Sequence, residues 1–356
     1  DPNTNTEFQD RFFQEIKFPL NQVLFIFSYN DSSSIDTILM DRIEEITVKS
    51  FKLSDKKVII DTFIIKEMSE LIGFENGTVK MNDDTMDFLI SRYTNESGVR
   101  DLKRKLEKIF LKLNIERIYG TGVFEKMSDN IQPIILTKEL VESYLGKNTI
   151  HIQYIHNEAL VGVINGLYAT DNGQGGILPI QIYDNYANDD DKFTLKVTGN
   201  QRKIMQESII AAFTVATHCV RPDLRDAYFI RSKHGLHIHA ISLSVPKSGP
   251  SAGISFACGF ISRILNKKIK NDIAMTGEIE LTGKITKIGG LQYKLYGAKK
   301  AGVKTVFVPE ENKEDIDSIK KDYSELFDAN FVVILVNHIT DVLKHVLVDY
   351  DPNELA

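Results

Sequence analysis

The sequence predicts a chain of several domains, in which an α/β region is followed by helices and then by an α+β region. The length of 356 residues is more than one hydrophobic core usually organises. Residues 54–144 are patterned as amphipathic helices, whereas 150–195 is broken into short apolar runs separated by Asn, Asp and Gly. The hydrophobic content of 42% and the charged content of 26% are ordinary for a globular protein.

The first fifty residues are predicted to be the end of an α/β domain. The apolar run NQVLFIFS at 21–28 precedes a cluster of turn residues at 29–34, a pattern typical of a buried strand that ends at a sheet edge. Residues 35–46 are predicted to form a short helix that leads to another strand. The chain opens with Asp1-Pro2 instead of Met, which predicts a fragment of a longer protein.

The following region is predicted to be an all-helical unit. Its first helix has Ser54 as a candidate N-cap and Gly73 just after its end. Asn82 is predicted to cap a second helix, a long amphipathic helix ends near Gly120, and Thr137 begins the last one. The second half is predicted to be α+β, with helices over 204–220 and 252–265 and strands over 235–244, 304–308 and 331–335.

Composition also excludes several classes of function. Cys219 and Cys258 have no CxxC spacing, so a disulfide framework is disfavoured and a reducing compartment is expected. The formal charge of −6 gives no general attraction to nucleic acid. No apolar run is long enough to predict a membrane span.

The segment PKSGPSAG at 246–253 carries the strongest chemical signal. A strand ends, a Gly-Pro turn follows, and Ser251 stands where a helix of small residues begins. A helix start supplies unpaired N–H groups and a positive dipole end, which an acyl-transfer site needs near its nucleophile. On these residues alone, a serine that merely caps a helix is the simpler interpretation.

Lys294 is the candidate base for this serine. It follows Gly289-Gly290 at the start of another predicted helix, and it can act as a base only if burial keeps its amine neutral. Thr276 is predicted to hydrogen-bond the neutral amine and to hold it toward Ser251. Spacing alone leaves open that Lys294 is one more solvated lysine in a chain with 43 Lys and Arg.

Two long blocks resemble the Lon proteases. Residues 246–253 match the Lon active-site signature, proline-lysine-aspartate-glycine-proline-serine-alanine-glycine, except at Ser248. The run MTGEIELTGKITKIGGLQYKLYGAKKAGVKTVFVPEEN at 275–312 is similar to the second signature block of the family, although Gln292 replaces a frequent lysine. Residues 241–244 (ISLS) also depart from a common Pro-Glu-Gly-Ala sequence. The resemblance implies a Ser251–Lys294 dyad supported by Thr276, with Ser248 and 241–244 bearing on substrate preference.

The resemblance extends to the first half, where it implies the end of an AAA+ ATPase module. Asn30 matches the sensor-1 residue, Arg42 in LMDR matches the arginine finger, and Arg100 in GVR matches sensor 2 of the lid. These three residues would sense ATP with Mg²⁺ in the full-length protein, and the dyad itself would need no cofactor. A GxxxxGK[ST] loop is absent, so the chain is not expected to hydrolyse ATP by itself.

The resemblance therefore implies an ATP-dependent serine endopeptidase of unfolded, damaged or regulatory proteins, acting as a homohexameric ring in bacterial-type cytoplasm or the mitochondrial matrix. The implied domains are the end of the AAA+ α/β domain (1–50), the all-helical AAA+ lid (51–147), a linker (148–158), the α+β Lon proteolytic domain (159–350) and a tail (351–356).

Three other interpretations stay open at the level of the sequence. A ring that acts as a scaffold or chaperone without proteolysis is disfavoured because both Ser251 and Lys294 are present. A DNA-binding regulator has no support from the acidic charge. His237 and His239 alternate on one strand, but without a third ligand they do not predict a metal site.

Overall fold

The computed structural model divides the chain into two compact units, Asp1–Ser50 and Phe51–Ala356. It describes residues 5–13, 15–29, 35–46, 48, 50–94, 96, 98–125, 133–147, 153–170, 173–186, 193–241 and 249–356. Within these ranges no helix is both long enough and apolar enough to cross a bilayer.

The first unit contains little regular structure. Strands β1 (Phe8–Gln9) and β2 (Lys17–Phe18) pair antiparallel, and the helix α1 (Thr37–Met40) is capped by the Asp36 carboxylate. The predicted buried strand at 21–28 is wrong, because these residues form no strand. Leu24 and Ile26 are 83% and 85% exposed. A buried strand needs paired neighbours and covered faces, which the described part of this unit does not provide. The strand predicted after 35–46 is likewise not formed in the described residues.

The second unit begins with a helix that contains a π-helical segment. Helix α2 (Leu53–Ile59) continues through the π-helical residues Ile60–Ile64 into α3 (Ile65–Ile72). Gly73 ends it with a φ of 72°, as predicted. The predicted N-cap Ser54 is wrong by two positions, because the Asp55 carboxylate accepts the Lys52 N–H and sets the helix start there.

The remaining helices of this region have the caps and the end at Gly120 that the sequence predicts. They are α4 (Asp83–Tyr93), α5 (Arg100–Tyr119) and α6 (Lys138–Leu145). Asn82 caps α4, Thr137 caps α6, and Gly120 ends α5 with a left-handed φ of 61°. A two-stranded parallel pair, β3 (Val79–Met81) with β4 (Ile134–Leu136), adds strand structure that the sequence did not predict. Three-residue strands are too short for alternation to be recognised.

A seven-stranded mixed sheet organises the rest of the chain. The strands of this region are β5 (Leu160–Val161), β6 (Val163–Ala169), β7 (Gly175–Asp184), β8 (Thr194–Thr198), β9 (Gly235–Ala240), β10 (Lys268–Ile269), β11 (Ile273–Met275), β12 (Glu278–Ile279), β13 (Ile285–Thr286), β14 (Thr305–Pro309) and β15 (Val332–Val336). The order in the sheet is β15-β14-β11-β6-β7-β9-β8; β7 is antiparallel to β6 and β9, and the other neighbours are parallel. Two further small pairs are β5 with β10 and β12 with β13.

Helices cover this sheet and bury two apolar clusters. The larger cluster includes side chains of α7 (Lys203–Cys219) and α9 (Gly253–Leu265), and the smaller one includes side chains of α10 (Leu291–Lys300) and α11 (Lys313–Asp322). The predicted helices at 204–220 and 252–265 and the strands at 304–308 and 331–335 are confirmed to within one residue at each end. The helices are α7 (Lys203–Cys219), α8 (Pro222–Arg231), α9 (Gly253–Leu265), α10 (Leu291–Lys300), α11 (Lys313–Asp322) and α12 (Ile339–Val346).

Candidate active site

Ser251 lies just before α9, at the end of the Gly-Pro turn. The helix begins at Gly253, so the predicted position of the serine at a helix start is confirmed. Its backbone carbonyl accepts the Gly277 N–H at 2.8 Å, and the Gly277 carbonyl accepts the Ile254 N–H at 3.2 Å. These bonds join the two sequence blocks and fix the serine beside the residues that follow β11.

Lys294 lies in the first turn of α10 and points back to this serine. Gly290 precedes the helix with a left-handed φ of 67°, a conformation that suits glycine. The lysine side chain is 4% exposed. Its Nζ lies 3.0 Å from Ser251 Oγ and 3.1 Å from Thr276 Oγ1. A serine hydroxyl and an amine are therefore within proton-transfer distance in a buried place.

Thr276 connects the two groups. It is fully buried and directly follows β11. Its hydroxyl donates to the Ser251 carbonyl at 3.2 Å, which leaves a lone pair of Oγ1 to accept from the Lys294 amine. One side chain thus orients the amine and anchors the serine backbone.

Burial determines the protonation of Lys294. It lowers the pKa of the amine from 10.5 to about 8. Among the described residues, no carboxylate forms an ion pair with this ammonium. About one molecule in ten therefore holds the neutral amine near pH 7, and this form can accept the serine proton.

Close backbone packing places α10 on the sheet. An ideal Cβ on Gly297 would lie 2.2 Å from the Gly175 carbonyl carbon and the Gly176 nitrogen. Only residues without side chains allow α10 to approach β7 this closely. Gly175 and Gly297 are not predicted as site residues, because two glycines far apart in the sequence carry no signal that would identify them.

Of the three predicted ATP-sensing residues, Arg42 and Arg100 are among the described residues. Asn30 lies outside the described residues, as do Ser248 and residues 242–244. Arg42 is exposed in the first unit, where its guanidinium donates to the Ile38 carbonyl at 2.8 Å. Arg100 is the exposed first residue of α5. Glu96, which the sequence analysis missed, caps this helix by accepting the Asp101 and Leu102 N–H groups.

The histidines and cysteines have structural environments. The Thr198 hydroxyl contacts His237 Nε2 at 2.9 Å and His239 Nδ1 at 2.8 Å, which ties β8 to β9. In the part of the chain that the structure describes, no three His, Cys, Asp or Glu side chains are grouped to hold a metal ion. Cys219 and Cys258 are free thiols, and burial raises the pKa of each.

Comparison with known proteins agrees with the fold. The family model of the Lon protease (S16) C-terminal proteolytic domain matches residues 135–349, and that of the Lon protease AAA+ ATPase lid domain matches 70–121. These matches define the class, a proteolytic domain joined to the lid of an AAA+ ATPase. The chain belongs to the Lon protease family.

Similar proteins come from viral, bacterial and human sources. The chain is 43% identical to a Lon protease homolog of Acanthamoeba polyphaga mimivirus, over 99% of this chain and 40% of that protein. It is 34% identical to the Lon protease of Mycoplasma mobile, over 93% of this chain and 39% of the relative. It is 29% identical to the human mitochondrial Lon protease homolog, over 93% of this chain and 34% of that protein. The chain thus spans about two fifths of the length of the first two relatives.

Proposed function

We propose that this chain carries the proteolytic site of an ATP-dependent serine endopeptidase, with Ser251 as nucleophile and Lys294 as general base. The observation that carries the proposal is the 3.0 Å distance between Lys294 Nζ and Ser251 Oγ. The pKa of this amine is about 8. Thr276 orients the amine. The proposed domains are 1–50, 51–147, 159–350 and a tail at 351–356, with a linker at 148–158.

The proposed reaction needs only the side chains at this site and water. Neutral Lys294 accepts the hydroxyl proton while Ser251 Oγ attacks the carbonyl carbon of a peptide bond. The resulting ammonium gives this proton to the departing amine nitrogen, which leaves an ester between Ser251 and the substrate. Lys294 then accepts a proton from water, the hydroxide attacks the ester, and the proton returns to Oγ as the acid product leaves.

The start of α9 supports the developing negative charge. Ser251 and Ala252 precede the first residue of this helix, whose positive dipole end would stabilise an oxyanion formed on a substrate carbonyl beside Ser251. Gly253 lets the start of this helix pack closely against β12, since an ideal Cβ there would lie 2.9 Å from Ile279 Cγ2. The two signature blocks thus meet where the oxyanion would form.

ATP with Mg²⁺ is proposed for the full-length protein, with Asn30, Arg42 and Arg100 as sensing residues. The string nearest to a phosphate loop, 277–285, has Ile285 after its lysine, and that lysine is paired, because Lys284 Nζ lies 2.7 Å from Glu311 Oε1. The peptide chemistry above involves no nucleotide atom.

The wider setting is proposed from the family resemblance. We propose that the whole protein assembles as a homohexameric ring and takes unfolded or damaged polypeptides. Bacterial cytoplasm and the mitochondrial matrix are the proposed compartments, since the relatives include bacterial Lon proteases and one named mitochondrial. DNA binding draws no support from the net charge of −6.

A peptidase assay with Ser251→Ala tests the proposal. Wild-type chain is expected to cleave an unstructured reporter peptide, and Ser251→Ala is expected to lose turnover while melting as the wild type does. Lys304→Ala is the matched control, because this exposed lysine pairs only with Asp272 among the described residues. Turnover that survives in Ser251→Ala would favour the scaffold or chaperone alternative.

A further inference from the structure

Helix α10, which carries the proposed base, is also contacted by residues 51–147, here called the helical region. Lys300 is its last residue, and the Lys300 Nζ donates to the Ser91 carbonyl at 2.9 Å. Ser91 lies in the last turn of α4, where carbonyls have no partner within the helix and cations are favoured. The end of α4 is therefore capped by a lysine 209 positions further along the chain.

A second contact reaches α10 through a tyrosine pair. Lys52, the N-cap of α2, has its Nζ 5.3 Å from the centre of the Tyr323 ring. That ring meets Tyr296 of α10 edge-on, with centroids 6.0 Å apart. Tyr323 is 4% exposed, so this contact is buried. The helical region thus contacts α10 both at its end and along its side.

We infer that Lys300 is a positioning residue that couples the helical region to the catalytic amine through α10. The inference rests on the proposed function of Lys294. Six residues of one helix, about 9 Å, separate the two lysines, and the hydrogen bonds of the helix make this segment stiff. The first turns of α10 are held against β7 at Gly175. A displacement of the C-terminal end therefore tilts α10 about this contact and moves Nζ relative to Ser251 Oγ.

The chemistry of the contact suits an adjustable coupling. The acceptor of Lys300 is a backbone carbonyl, and in the described chain no carboxylate forms an ion pair with it. Burial, Arg92 and Lys56 all lower the pKa of Lys300. A hydrogen bond of this kind is weaker than a buried ion pair, so a movement of the helical region is enough to break it. Loosening α10 would admit water to Lys294 and raise the pKa of its amine.

The test compares Lys300→Ala, Lys300→Arg and the control Lys304→Ala in the 356-residue chain. For Lys300→Ala we expect kcat to fall about three- to tenfold near pH 7.5 with KM unchanged. The midpoint of its kcat–pH profile is expected to move to higher pH and to stay there at high salt, which screens the effect of losing one positive charge. Lys300→Arg keeps a donor and should restore both values.

The outcomes separate the coupling from the proposed function. A Lys300→Ala profile that superimposes on the wild type, or the same midpoint shift in Lys304→Ala, overturns the coupling. Ser251→Ala is measured in the same assay. If Ser251→Ala is inactive and Lys300→Ala is unchanged, only the coupling fails; if Ser251→Ala keeps its turnover, the proposed function fails first.

Discussion

The backbone carbonyl of Tyr293 occupies the space that a side chain at Gly175 would need. An ideal Cβ at position 175 would lie 1.8 Å from the Tyr293 oxygen and 2.3 Å from its carbonyl carbon. Since Tyr293 immediately precedes Lys294, the position of the Lys294 amine depends on the absence of one methyl group on β7.

Gly175→Ala is therefore expected to displace the first turn of α10 and to reduce kcat by about tenfold or more, because proton transfer depends on the Nζ–Oγ distance. Gly289→Ala is the matched control, since an ideal Cβ there has no atom within 4 Å. Peptidase kinetics and thermal melts of both variants provide the measurement. Equal kcat values for the two variants would show that this contact does not position Lys294.

The pH dependence of cleavage should report the Lys294 amine. Because burial lowers its pKa to about 8, kcat is expected to rise about tenfold per pH unit below that value and to level off above it. Lys284→Ala, which removes a surface lysine paired with Glu311, should keep the same midpoint. A rate that does not change between about pH 6 and about pH 9 would exclude Lys294 as the base.

Lys294→Met should stabilise the fold while abolishing turnover. The folded-state pKa of about 8 lies below the ordinary 10.5, so the unfolded chain binds this proton more tightly. The resulting loss of stability is complete below pH 8 and disappears as pH rises through 10.5. Methionine fills a similar volume without charge, so we expect the free energy of unfolding at pH 7 to increase by about 1–3 kcal/mol.

Urea denaturation near pH 7 and near pH 10.5 measures this effect. The gain is expected at the lower pH and should shrink at the higher one. Lys304→Met, an exposed position, serves as the comparison and should show no such gain. A Lys294→Met variant that is less stable than the wild type at pH 7 would contradict the burial argument.

The Thr276→Val variant should distinguish the role of the Thr276 hydroxyl from that of its side-chain volume. Valine keeps the shape but removes both the donor to the Ser251 carbonyl and the acceptor for Lys294, so kcat should fall by about tenfold or more. Thr276→Ser retains the hydroxyl and should keep most of the activity. Kinetics of the two variants with one reporter peptide provide the measurement. A loss in Thr276→Ser that equals the loss in Thr276→Val would contradict the prediction, because the hydroxyl alone would then not account for the role of Thr276.

Local features of the fold were predictable because their causes lie within a few residues. Asn82 and Thr137 cap their helices, and Gly73 and Gly120 end theirs, as the sequence indicates. Ser54 was misplaced because Asp55, one residue later, competes for the helix start. The strand at 21–28 failed for a different reason, since apolar character predicts burial only where other strands are present to pair with it.

By itself, the sequence determined the family and the candidate reactive groups. These groups are a serine in PKSGPSAG and a lysine after Gly289-Gly290, and the family is indicated by two signature blocks in order. Only the tertiary structure decided that these groups meet, because hydrogen bonding between Ser251 and Gly277 and the packing of α10 on Gly175 join residues far apart in the chain. The lowered pKa of Lys294 is likewise a property of burial, and burial exists only once the sheet and its helices have assembled.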